Sequence, residues 1–255
     1  NTLVKAKPSF HKQTFLKPFH KTAEFCSACH KVHLPKEVTH YKDFLRGQNH
    51  YDNYLLSGVS GVGARSFYYP EKSEPNCNGC HMPPQPSRDF GAKLFTGAEQ
   101  PSVHNHLFVG ANTGVTWLHQ LDDAIKTHQE FLQKCTRVDI FGLRDGGLIE
   151  GKLHAPLRPD VPALKPGQTY LLETVVRTLK LGHLFTQGTV DSNEVWLEVK
   201  VTSGGRELGH SGGMEPQQEV DRWAHFLNNF VVDRHGNRIN RRNSQDIFVA
   251  LYDHQ

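Results

Sequence analysis

Residues 25–30 read FCSACH, and residues 76–81 read NCNGCH. Each holds Cys-x-x-Cys with His directly after it: Cys26, Cys29 and His30, then Cys77, Cys80 and His81. Two cysteines three apart serve three chemistries. They hold zinc, exchange a disulfide, or carry a covalent haem. Two such pairs would make a four-cysteine zinc site, but the gap from Cys29 to Cys77 is longer than that of a zinc ribbon. Thiol exchange uses one pair at a helix start after a strand, and neither segment reads that way. Only the haem reading requires the histidine. With 17 His in 255 residues, chance would place one after both pairs with probability on the order of 0.004. The expectation is therefore two c-type haems, bound through Cys26, Cys29, Cys77 and Cys80. His30 and His81 would be the proximal iron ligands, supplied from the same short turn as the thiols. Covalent haem is attached outside the cytoplasm, so the sequence predicts a periplasmic or extracellular protein.

Composition narrows the rest. The chain is 37% hydrophobic and 22% charged, globular but polar, and long enough for one large or two ordinary domains. A net charge of +3 is too small to argue for nucleic acid or an anionic membrane. Basic residues are scattered apart from Arg241-Arg242. No apolar stretch approaches the roughly 20 residues that span a bilayer, so no transmembrane segment is expected. The fifth cysteine, Cys135, sits among apolar neighbours at a helical position and reads as a buried thiol.

Each iron also needs a ligand on its other face. The chain has only two methionines. Met82 follows His81 directly and cannot reach the opposite face of the same haem, and Met214 lies in a Gly-rich loop. Bis-His ligation is the expectation, with a lower potential than Met/His ligation. His11, His20 and His106 stand beside apolar residues near the haem segments and are the favoured distal candidates. His33, His40, His50, His104, His119 and His128 read as surface or hydrogen-bonded histidines. His183, at a strand end before a Gly turn, reads either as a distal ligand or as a partner of a propionate or the backbone.

The expected fold is α+β. Residues 1–136 form a haem-packed, mostly helical or irregular cytochrome c region, and 137–255 an antiparallel β-sandwich. Residues 58–77 form a Gly-rich loop without the GK[ST] of a phosphate loop. Its glycines are read as letting backbone approach porphyrin. Trp117, Leu118, Leu121, Ala124, Ile125, Phe131 and Leu132 recur at helical spacing and predict one amphipathic helix over 116–134 with a core-facing stripe. "LHAPLRPDVPALKPG", with four prolines, reads as an extended connection. "GQTYLLETVV", "EVWLEVKV", "NNFVV" and "DIFVALYDH" read as strands, with a tight turn at 234–237.

"FCSACHKVHLP", "RGQNHYDNYLLSGVSGVGARSFYYP", "CNGCHMP", "VHNHLFVGANTG", "RVDIFGLRDGG" and "LKLGHLFTQGTVDSNEVWLEV" resemble the multihaem c-type cytochromes of the cytochrome c554-like group. The likeness is greatest to the large members from planctomycetes. It implies haem c as cofactor and further haems N-terminal to this region, making the chain the C-terminal part of such a protein. It also implies a ligand role for His106. The family's GHxFPTG pattern stands here as GHLFTQG, with His183 kept and Thr186 in place of proline. The implied function is electron transfer, with redox partner proteins or further haem domains as partners. Alternatives are a haem-bearing subunit of an oxidoreductase acting on a small nitrogen or sulfur compound, and a filament-forming cytochrome within a larger assembly.

Overall fold

The computed structural model describes residues 2–33, 37, 44–188, 193–239 and 243–254; His40, Arg241 and Arg242 lie outside these. With 26% of residues helical and 25% in strands, arranged as small antiparallel sheets, the class is α+β. The chain divides into two units, one of residues 1–76 with 182–255, the other of residues 77–181. Among the described residues no helix is long and apolar enough to cross a membrane.

In the first unit, α1 (Thr2–Ala6) and α2 (Pro8–Phe15) precede α3 (Ala23–His30), which carries the first motif. Glu24 lies in the first turn of α3 and His30 in its last. Both placements suit the helix dipole. Strand β1 (Lys31–His33) leaves α3 at once and pairs antiparallel with β2 (Phe44–Asn49), Lys31 opposite Asn49. Helix α4 (His50–Leu56) begins directly after β2. Asn49 makes that switch possible: its side-chain oxygen accepts from the Asp52 N–H at 3.2 Å and caps the helix.

The same unit contains most of the C-terminal strands. β8 (Trp196–Leu197) is followed by a hairpin of β9 (Val199–Ser203) and β10 (Arg206–Ser211). Gly204 and Gly205 turn it with φ of +55° and +78°. Positive φ at both central positions is what a two-residue hairpin requires. β11 (His225–Val232) is the hub, pairing with β8, β12 (Arg238–Ile239) and β13 (Val249–His254). The β11–β12 turn is held by Asp233, whose carboxylate accepts from the N–H groups of His235 and Asn237 and from the Asn237 side chain. Val231 and Ile247 are buried there, with Ile239 against them.

The second unit opens on α5 (Asn78–His81), the second motif. β3 (Pro84–Pro86) and β4 (Ser102–His104) form a short ladder. Then come α6 (Thr113–Leu118) and α7 (Asp122–Leu132). Strand β5 (Thr136–Asp145) pairs along its length with β7 (Tyr170–Thr178) and near its end with β6 (Leu153–His154). Arg137 and Arg177 both pair with Asp139, and Arg144 with Glu173. Cys135 is buried, as expected, and burial pushes its thiol pKa up.

Two expectations are corrected. The helix predicted over 116–134 is two helices. Gln120 takes φ +56°, Leu121 N–H returns to the Thr116 carbonyl, and Asp122 and Asp123 open a new first turn. Hydrophobic spacing continues across that break, so periodicity alone could not see it. The stripe is only partly a core face: Trp117 is 69% and Leu118 72% exposed. One glycine of the 58–77 loop also has a close neighbour within the chain itself. A Cβ on Gly58 would fall 1.9 Å from the Tyr69 carbonyl oxygen.

Gly58→Ala is therefore expected to destabilise the protein by about 1–3 kcal/mol through overpacking against fixed backbone. Gly114, in α6, has nothing within 4 Å of its added Cβ. Gly114→Ala is expected to be neutral or stabilising by up to about 1 kcal/mol. Thermal unfolding of the two variants measures the contrast.

Candidate functional site

The first motif is built from α3 outward. Cys26 and Cys29 are one helical turn apart, Cys26 half-buried and Cys29 exposed. The residues flanking the motif are tied to α4. Tyr51 donates its hydroxyl to Glu24 at 2.9 Å. Lys31 forms an ion pair with Asp52 at 2.8 Å. Asn49 Nδ2 donates to the same Asp52 carboxylate at 2.7 Å. The Asn49 bond first and Lys31 second hold the Asp52 carboxyl below its ordinary range.

These ties set the His50 ring edge-on to the His30 ring, with centroids 5.2 Å apart. His50 in turn meets the His183 ring edge-on at 5.5 Å. The loop that brings His183 is fastened to α4. Gln187 Nε2 donates to the Asn49 carbonyl at 2.9 Å. Gly182 passes so close to Tyr54 that an added Cβ would sit 3.2 Å from its ring, and Gly188 likewise lies against the His50 imidazole. His183 Nδ1 donates to the Leu184 carbonyl at 3.1 Å.

The second motif stands in the other unit. His81 is half-buried, and its Nδ1 donates to the Val109 carbonyl at 2.6 Å. Its ring meets that of Phe131 at 5.7 Å. A carbonyl oxygen only accepts, so Nδ1 carries the proton and Nε2 is the nitrogen with the lone pair. That is the usual arrangement of a metal-binding histidine, which donates its second ring N–H to a backbone carbonyl or carboxylate. Val109 is 3% exposed, and Gly110 beyond it is bonded through its backbone to the buried His128. The acceptor is thereby fixed from both sides.

His104 and His106 show the same tautomer. His104 Nδ1 donates to the Met82 carbonyl at 2.6 Å, and His106 Nδ1 to the His104 carbonyl at 2.9 Å. The β3–β4 ladder, in which Pro84 faces His104, brings both beside the motif.

The sequence-derived candidates thus fall into two groups. His30 and His183 share the first unit and are linked through His50. His81 and His106 share the second. His20 lies in a 3-10 turn (Pro18–Lys21) with its ring 5.0 Å from that of Phe25, next to Cys26. His11 is on α2 against Phe15. His50 and His104 went unselected in the sequence. Nothing in the local sequence marks His50; for His104 the readable signal is the His-x-His spacing that begins at the end of a strand.

Among the described residues no three His, Cys, Asp or Glu side chains converge to hold a metal ion. In comparisons with known proteins, no family model, no curated protein and no solved structure matches the chain.

The α3–α4 tie is open to an acid test. Asp52 ordinarily titrates near 3.8, and its folded pKa is lowered. Its stabilisation is present above the unfolded value and disappears as pH falls through the lower folded one. The Lys31–Asp52 pair is about a third exposed, so the effect is at most about 1 kcal/mol. Melting curves of wild type and Asp52→Asn should differ at pH 5 and converge toward pH 2.

Proposed function

We propose that the chain is an electron-transfer cytochrome carrying two covalent c-type haems, related to the multihaem cytochromes of the c554-like group. The observation that carries this reading is the state of His81. It ends a Cys-x-x-Cys-His turn with Nδ1 committed to the Val109 carbonyl, the tautomer in which Nε2 serves as a ligand atom. Cys77 and Cys80 would hold the second haem, and Cys26 and Cys29 the first, with His30 as its proximal ligand.

The residues present fit the group. In each motif one cysteine is exposed and the other half-buried, so neither pair is sealed in the protein interior. Large apolar side chains stand exposed in the same units: Phe19 at 50% and Phe25 at 45% in the first, Leu94 at 66% and Phe108 at 59% in the second. A haem iron takes four ligands from its porphyrin and needs no cage of protein side chains. When bound, the group supplies reversible one-electron exchange at its iron.

The chain's own part is to hold the axial imidazoles, fix their tautomer and shield the site. The bond to the Val109 carbonyl holds the His81 ring in one orientation, and an axial imidazole so held would be one of the groups that set the potential of a bound haem. The finer architecture belongs to the same proposal: a haem-packed region over 1–136 and an antiparallel β-sandwich over 137–255. So do a periplasmic or extracellular location and redox partner proteins or further haem domains as the neighbours that exchange electrons with it.

The test is haem content by alkaline pyridine spectrum, in protein matured where c-type haem is attached. Two haems per chain are expected, and one in Cys26→Ala/Cys29→Ala or in Cys77→Ala/Cys80→Ala. The dithionite-reduced visible spectrum should not change under carbon monoxide. A change in part of the Soret band would move the reading to an oxidoreductase subunit with an open iron. Absence of haem from protein of the native source would sink it.

A further inference from the structure

We propose that His50, rather than His11, His20 or His183, is the second axial ligand of the first haem. This rests on the haem reading above and extends it to a residue that local sequence does not mark. The geometry points to it in three ways. The first is rigidity: His50 is the first residue of a helix that Asn49 caps. A ligand on a fixed element holds its geometry, whereas one on an exposed segment does not.

The second is the pattern of ties. Tyr51 and Asp52, the two residues after His50, bond to Glu24 and Lys31, which bracket the motif on either side. The α3–α4 pair is thus a clamp with His30 and His50 on it. The third is the ring order. His50 is the ring next to His30, at 5.2 Å, and His183 is next to His50, at 5.5 Å. His20 instead has its ring on Phe25 and His11 on Phe15. The role left to His183 is positional: with Gln187 it packs the 182–188 loop against α4 and limits the swing of the His50 ring.

The experiment uses the matured holoprotein with both haems counted. In His50→Ala, one of the two reduced haems should bind carbon monoxide and its ferric form should turn high-spin. Added imidazole should restore the low-spin spectrum. His183→Ala should leave both haems low-spin and closed. His50→Met should keep the iron six-coordinate and raise one of the two midpoint potentials, since an axial Met raises it.

Wild type supplies a check that needs no variant. With diethyl pyrocarbonate, His11 and His20 should be modified in the folded holoprotein and His50 only after unfolding. Two covalent haems with both irons still closed in His50→Ala, or one iron opened by His183→Ala alone, would overturn the assignment and leave the haem reading standing. So would modification of His50 in folded wild type. A wild-type chain without covalent haem overturns both together.

Discussion

The turn that joins two thiols to an imidazole is the constraint on which each unit is arranged. Cys-x-x-Cys-His fits one turn of helix, and the helix must then stop so that the histidine ends it. Both motifs do this: α3 ends at His30 and α5 at His81. Extended backbone comes after each helix, β1 in one unit and β3 in the other, and each strand recruits a partner that returns the chain toward the motif. In the first unit that partner is β2, which delivers Asn49 and His50. In the second it is β4, which delivers His104 and then His106. The two units use the same local device, a strand pair that follows the Cys-x-x-Cys-His turn.

Much of this was legible from sequence where the physics is local. The motif is local because its two cysteines and the adjacent histidine lie on one helical turn. The tight turn at 234–237 is local because the Asp233 side chain caps it and Gly236 takes a positive φ. The mixed class follows from the change of periodicity along the chain. The break at Gln120 was not legible, because Leu121, Ile125 and Phe131 keep helical spacing across it. Gly58 lies against the Tyr69 carbonyl, a contact that sequence does not name: it marks a close approach, but does not say what approaches.

His50 shows the limit most clearly. Nineteen residues separate His30 from His50, and nothing in the segment around either names the other. Their meeting depends on a cap, an ion pair and a tyrosine hydroxyl, each worth about 1 kcal/mol or less by itself. Residue spacing cannot register a clamp made of several weak terms. By contrast, His20 looked favourable because it is near the motif in sequence, and it is near in space too, but its ring is taken up with Phe25.

The scarcity of buried side chains bears on the proposed role. Among the described residues ten apolar side chains are buried, and none is below 2% exposure. A 255-residue chain ordinarily buries far more than that through its own packing. The exposed Phe19, Phe25, Leu94 and Phe108 are apolar surface of the kind a porphyrin face covers at roughly 25 cal/mol for each Å² removed from water. On the proposed reading, covalent attachment makes that burial permanent, so fold and cofactor stabilise each other. Within each unit the loop histidines are placed by short local ties: His104 and His106 by their bonds to the Met82 and His104 carbonyls, and His183 by the Gln187–Asn49 bond and its ring contact with His50.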